Sequence, residues 1–177
     1  DSDMIWLKAF VSGLLATLIF HQGLFAVFYF VGMVPSAPFN MAAVPPLGIP
    51  AVFSLAFFGG LWGIVLWAIL GRFGGFKFWL GNVIVGAIGP TAVAMLVVFP
   101  LKGIAVTAQT WVGGLILNGF WGLGVALFLV LMKVAEAGGL LRIIANLLRP
   151  LSVRLCPDGP AAHPATWQRI LTIASHD

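Results

Sequence analysis

The polar residues with the clearest chemical potential are His21 and Gln22, in the run FHQG at residues 20–23 of the first apolar stretch. An imidazole and an amide in mid-membrane are costly unless each is paired with another polar group. Counted from predicted helix ends at 1.5 Å per residue, His21 lies about 18 Å deep and Asn118 about 12 Å deep. We therefore expect His21 to face the interior of the helix bundle, within reach of Asn118 directly or through water.

Four roles for His21 stay open at this point. The plainest is structural, with a neutral imidazole linking the first helix to the fourth. A second is binding of a polar cofactor group such as a quinone carbonyl. A third, proton relay, usually needs an Asp or Glu partner, and no predicted span contains one. A fourth, haem ligation, lacks a second intramembrane histidine and would need Met95 or an open axial position.

The third apolar stretch contains a second polar feature, Thr91 directly after Pro90. A proline inside a helix predicts a kink, and Thr91 or water can satisfy the carbonyl groups that the kink frees. The same kink can also open a cavity. We therefore place Thr91 with His21, Gln22 and Asn118 as a candidate polar site inside the membrane.

Catalytic and metal-binding patterns are missing from the sequence. Cys156 and His163 are seven residues apart, but two potential ligands make a weak metal signal. No catalytic triad, pair of carboxylates, phosphate-binding loop or metal-ligand cluster is present. The sequence therefore predicts no enzyme, no catalytic residue, no metal and no resident cofactor, with a quinone or a lipid kept as open alternatives.

The composition requires lipid around these groups. Hydrophobic residues make up 61% of the 177 residues and charged residues 8%, whereas soluble domains carry about 25% charged residues. The net charge of +4 does not indicate nucleic-acid binding, because the basic residues flank apolar segments instead of alternating with polar base-reading side chains. Cys156 is the only cysteine, so an intramolecular disulfide is excluded.

Four apolar segments are long enough to cross the bilayer as helices, which takes about 20 residues. They are residues 5–33, 49–70, 78–101 and 111–132. We predict an all-α membrane protein with a four-helix transmembrane bundle over residues 1–137. Residues 138–177 are predicted to form an amphipathic interfacial helix and a cytoplasmic tail, with Arg142 and Arg149 anchoring that helix at the membrane interface.

The basic residues predict the orientation. Lys102 alone lies on one side of the predicted spans, and the other eight basic residues lie on the opposite side: Lys8, Arg72, Lys77, Lys133, Arg142, Arg149, Arg154 and Arg169. The positive-inside rule then places both termini in the cytoplasm of a bacterium with the chain in its inner membrane. Three tryptophans at predicted span ends are expected to anchor the bundle at the interfaces: Trp6, Trp79 and Trp111.

Small residues spaced four apart predict how the helices pack, because burial gives little driving force for association within lipid. These ridges hold Gly13 and Thr17 on the first span, Gly59, Gly60 and Gly63 on the second, Gly86 and Pro90 on the third, and Gly114, Asn118 and Gly122 on the fourth. His21 occupies the next position on the first ridge.

The second and fourth spans share a short pattern. Residues 60–64 align with residues 119–123, so that Trp62 and Gly63 match Trp121 and Gly122. One interpretation is a duplicated helical hairpin, which would give two parallel repeats. The other is coincidence, since Gly-Trp pairs are common in membrane helices.

The connection at residues 34–48 has no charge and four prolines, which predicts a stiff loop. It could lie on the lipid headgroups, or serve as a lid or a docking surface for another subunit. The segments FHQG and VPPLGIPAVFSLAFFGGLWGIVL resemble a family of small, uncharacterised multi-spanning proteins of the bacterial inner membrane. The resemblance covers roughly the first two spans and implies that location, but no activity or site residue.

The leading hypothesis from the sequence is a non-catalytic accessory subunit of a larger bacterial inner-membrane assembly, such as a bioenergetic complex. One alternative is a small oligomeric transporter or channel that uses the Pro90 kink with His21 and Gln22 as a polar passage. The other is a protein that binds a quinone or a lipid. The expected partners are membrane lipids and other membrane subunits or further copies of the chain, and not nucleic acid.

Overall fold

The chain is mainly helical. A computed structural model describes residues 2–136 and Gly138. Within that part, four helices are long and apolar enough to cross a membrane: Met4–Phe30, Ala51–Leu70, Gly75–Leu101 and Ala108–Glu136. The prediction of a mainly helical chain with four helices long and apolar enough to span a membrane is therefore confirmed. We call these helices the first to fourth spans.

The chain divides into two compact units, Asp1–Met132 and Lys133–Asp177. The second unit is described only by the last residues of the fourth span and by Gly138. The predicted interfacial helix, including Arg142 and Arg149, lies outside the described residues.

The span ends differ from the predicted ones by a few residues. The first span stops at Phe30, three residues early, because the chain turns at Gly32, whose φ of 77° suits glycine. The fourth span runs four residues further than predicted, to Glu136. Consecutive spans are antiparallel, so Phe30, Ala51, Leu101 and Ala108 mark one side of the bundle, which we call the loop side.

Two spans contain a π-helical turn. In the first span an α-helix, Ser2–Ala16, is followed by a π turn, Thr17–His21, and a second α-helix, Gln22–Phe30. In the third span Gly75–Val93, which contains Pro90, leads into a π turn at Ala94–Val98. A π turn holds one residue more than an α turn, so it changes which residues face the bundle beyond it.

Residues 31–50, which we call the proline loop, fold into a small hairpin on the loop side. Its strands β1 (Ala43–Val44) and β2 (Ile49–Pro50) are antiparallel, with Val44 opposite Ile49. The loop also satisfies the first amides of the second span, because Ala51 N–H donates to the Ala42 carbonyl and Val52 N–H to the Asn40 carbonyl.

Glycines bring the two spans of each hairpin into contact. In the first hairpin, a Cβ on Gly13 would overlap the carbonyl oxygen of Gly59 and lie 3.0 Å from the Cα of Gly63. In the second, a Cβ on Gly86 would lie 3.2 Å from the Asn118 carbonyl oxygen and 3.0 Å from the Cα of Gly122. Such close backbone approach is the usual basis of helix association in lipid.

The two hairpins meet along two further faces. Between the second and third spans, the Trp62 ring packs on Gly89, where a Cβ would lie 2.9 Å from the ring. Between the first and fourth spans, Phe20 packs on Gly124 and its ring centroid lies 5.0 Å from that of Phe120. The buried core between the helices includes Leu66, Phe78, Trp121, Val125 and Leu129.

Candidate functional site

A buried polar cluster in the bundle includes the indole of Trp121, a residue that is 2% exposed. Its Nε1–H is shared between the Thr17 hydroxyl, at 3.0 Å, and the Gly13 carbonyl oxygen, at 3.1 Å. The Thr17 hydroxyl itself donates to the Gly13 carbonyl at 2.9 Å. This cluster ties the fourth span to the first where the π turn begins, and the Gly13 carbonyl accepts from both donors.

The π turn decides which polar residue of the first span is buried. Counting in steps of four from Gly13 and Thr17 predicts His21 on the interior face. The π turn makes the next step five, so Gln22 occupies the buried position at 6% exposure and His21 is only partly buried. No direct hydrogen bond joins His21 to Asn118 in the described part of the chain, and His21 Nδ1 lies 3.5 Å from the Gln22 amide nitrogen.

Gln22 holds the proline loop in place. Its side-chain oxygen accepts a hydrogen bond from the backbone N–H of Phe39 at 2.7 Å. Gln22 lies eight residues before the end of the first span, so the loop backbone reaches about 12 Å below that end. Irregular backbone at membrane depth needs internal partners for its polar groups, and Gln22 supplies one.

A difference in length between the first two spans explains why the loop descends so far. The first span has 27 residues and the second has 20. At 1.5 Å per residue the first is longer by about 10 Å. The proline loop fills this step beside the first span, with Phe39 at a φ of 54° where it meets Gln22.

Two asparagines sit between the third and fourth spans with different surroundings. Asn118 donates through Nδ2 to the Thr91 hydroxyl at 2.9 Å, so these two predicted site residues meet each other. Asn82 is fully buried and donates to the Phe78 carbonyl at 2.8 Å, while its Oδ1 has no partner within the described part of the chain. The polar residues therefore form separate pairs and not one continuous passage.

An apolar cleft opens on the loop side between the first and fourth spans. Its volume is about 350 Å³, and its walls include Phe28, Met33, Val34, Gln109, Val112 and Gly113. We call it the loop-side cleft. Met33 and Val34 belong to the proline loop, so the loop fixed by Gln22 also forms one wall of the cleft.

The structure also describes other residues that the sequence analysis named. Gly60 packs against the Phe10 ring, and Gly114 lies against Thr91 and Met95. Trp6 is 42% exposed, while Trp79 and Trp111 are partly buried near the ends of their spans. In residues 2–136, no three His, Cys, Asp or Glu side chains come together as metal ligands would.

Sequence reasoning missed three participants: Trp121 as a donor, the Phe39 amide and the loop-side cleft. Trp121 gave a signal, because a tryptophan deep in a span needs an acceptor for its N–H. Phe39 gave none, since a backbone amide has no side-chain signature. No protein-family model, curated protein or solved structure matches this chain.

Proposed function

We propose that this protein is a non-catalytic accessory subunit of a larger assembly in the bacterial inner membrane. The observation that carries the proposal is the proline loop, an ordered and charge-free structure that presents apolar side chains beyond the second span. Leu47 at its tip is 78% exposed, and Met41 and Phe39 are 61% and 47% exposed. An exposed apolar patch of this kind marks a site that contacts either another protein or the membrane.

The anchoring of the proline loop supports a docking role. The middle of the loop is held by the hydrogen bond from Phe39 to Gln22 and by the carbonyl groups of Asn40 and Ala42, which accept from the first amides of the second span. A surface fixed in advance loses little conformational entropy on binding, so less of the interaction energy is lost to ordering. A loop that only rested on headgroups would not need a buried glutamine to position it.

The orientation in this proposal follows from charge. Lys8, Arg72 and Lys77 lie toward the side opposite the loop side, whereas Lys102 follows the third span on the loop side. By the positive-inside rule the proline loop faces the periplasm and both termini face the cytoplasm. The assembly partner would therefore contact this protein at the periplasmic boundary of the membrane.

We also propose that the bundle arose from two parallel copies of one helical hairpin. Gly13 contacts Gly63 in the first hairpin, and Gly86 makes the same backbone contact with Gly122 in the second. Gly13 and Gly86 are 73 positions apart, and Gly63 and Gly122 are 59 positions apart. In addition, each copy has a π turn in the loop-side half of its first helix.

The contacts between the hairpins support the same proposal. Trp62 packs on Gly89 of the third span. In the proposed repeat, Trp121 is the counterpart of Trp62, 59 positions later, and position 16 is the counterpart of Gly89, 73 positions earlier. Trp121 does contact the residues on either side of position 16, namely Gly13 and Thr17. A pseudo-two-fold axis along the membrane normal relates such parallel repeats.

Two variants with matched exposure test the accessory role. Leu47→Glu places a charge at the tip of the proline loop, and Phe76→Glu does so at a residue that is 77% exposed on the opposite side. After mild extraction, native mass measurement should find the wild-type chain and Phe76→Glu in an assembly heavier than 18.8 kDa. Leu47→Glu should release the chain with its helix content unchanged.

Two results would count against the proposal. The first is a wild-type chain that is recovered alone at 18.8 kDa under the mildest extraction. The second is an assembly that survives Leu47→Glu as well as it survives Phe76→Glu, because the proline loop would then not be the contact.

A further inference from the structure

The loop-side cleft lies within the depth of the membrane-spanning helices. Phe28 is two residues from the end of the first span, and Gln109 is the second residue of the fourth. Ile116, the deepest of its lining residues, is eight residues from the start of the fourth span, or about 12 Å along the helix. The cleft therefore covers the first 12 Å of one leaflet.

The lining of the cleft is unsuited to water. Gln109 is the one residue with a polar side chain among those that line it, and the others are aliphatic, aromatic, methionine or glycine. A buried water needs two to four polar partners, and apolar cavities of this kind stay dry or bind apolar molecules. A space of about 350 Å³ falls within the range of ligand-binding pockets.

The cleft exists because the fourth span carries small residues there. A Cβ on Gly113 would meet no atom within 4 Å, so this glycine borders open space. Three residues of the fourth span that line the cleft each have a larger side chain 59 positions earlier, in the second span. The matches are Phe53 for Val112, Ser54 for Gly113 and Phe57 for Ile116. The smaller set, on the fourth span, lines the cleft.

We propose that the loop-side cleft binds one acyl chain of a membrane phospholipid. The chain lies against Phe28, Val112 and Ile116, with Gly113 giving it room beside the helix. Gln109, which is exposed at the rim, offers its amide N–H groups to the ester carbonyl oxygen atoms of the same lipid. Met33 and Val34 close the side of the site that the proline loop forms.

Native mass measurement of the full chain, released from nanodiscs of a defined phosphatidylethanolamine and phosphatidylglycerol mixture, tests the site. Gly113→Phe fills the cleft, and Gly23→Phe is its matched control, since Gly23 is also helical and also has no atom within 4 Å of its Cβ position. We expect one retained phospholipid on the wild-type chain and on Gly23→Phe, and at least tenfold lower occupancy on Gly113→Phe. Equal occupancy in all three, or equal loss in both variants, would overturn the proposal.

A second measurement does not depend on a variant. A phospholipid with a diazirine on its acyl chain, incorporated in the same nanodiscs, should label the wild-type chain mainly at Phe28, Val112 or Ile116. Uniform labelling along all exposed helix faces would contradict a defined site. So would a co-purified isoprenoid quinone or a partner helix that occupies the cleft in place of phospholipid.

Discussion

The indole Nε1 of Trp121 lies 3.0 Å from the hydroxyl oxygen of Thr17, the first residue of the π turn in the first span. The contact joins the two ends of the four-span chain, from spans that are far apart in sequence. It also fixes the height of the fourth span against the first, because Thr17 and the Gly13 carbonyl can share this donor at only one level.

Trp121→Phe should lower the free energy of unfolding by about 1 kcal/mol, because it removes a buried donor that serves two acceptors. Trp62→Phe is the control, since that ring contacts Gly89 through carbon atoms and the substitution removes the same ring area. Reversible denaturation in bicelles measures both. Equal losses in the two variants would mean that ring size, and not the hydrogen bond, matters at Trp121.

Gly13→Ala and Gly86→Ala should each destabilise the bundle by about 1–3 kcal/mol, because the added methyl group meets backbone atoms that cannot rotate away. Gly23→Ala should instead be neutral or stabilising by up to about 1 kcal/mol, since its Cβ meets open space and alanine favours the helix. The same bicelle denaturation checks all three. A stable Gly86→Ala with an unstable Gly13→Ala would oppose equivalent packing in the two hairpins.

Gln22→Leu should release the proline loop from the first span, because the Phe39 amide loses its acceptor. Hydrogen exchange at the Phe39 amide is expected to accelerate at least tenfold while the second span stays protected. His21→Ala is the control, since it removes the 3.5 Å contact with the Gln22 amide nitrogen but keeps the Gln22 oxygen that accepts from Phe39. Acceleration in both variants would show that the whole turn, and not Gln22, holds the loop.

Asn82, which is buried, and Asn118, which is partly buried, should respond to alanine with opposite signs. Asn82→Ala removes a buried oxygen that has no partner within residues 2–136, so stability should rise by about 1 kcal/mol. Asn118→Ala takes the donor from the Thr91 hydroxyl and should lower stability by about 1 kcal/mol. Thermal unfolding in one detergent suffices. A loss in Asn82→Ala would imply that its Oδ1 has a partner.

The spans could be predicted because their signal is composition, which a few irregular residues do not alter. The first span was nevertheless extended to residue 33, because Val31 and Met33 are apolar and give no sign that the chain turns at Gly32. Hydropathy detects the apolar residues that lipid can solvate, but backbone geometry decides where the helix ends.

The candidate site was predicted in part. Gln22, Thr91 and Asn118 were selected because polar groups in lipid must find partners, and the structure pairs each of them. The partners themselves were not predictable. A count of 3.6 residues per turn gives His21 the interior position, and only the π turn transfers it to Gln22. Long-range pairs such as Gln22 with Phe39 depend on loop geometry that no periodicity describes.

The π turn at Thr17–His21 also determines which insertions and deletions the first span tolerates. Deleting Ile19 would turn it into an ordinary α turn while Gly13, Thr17 and Gln22 keep one common face, so the protein should still assemble. Inserting a residue there would instead swing the helix beyond it by about 100° and carry Gln22 away from Phe39. The extra residue of the π turn is thus a spacer between the two α-helices of the first span. The contacts of each helix are fixed independently of the other.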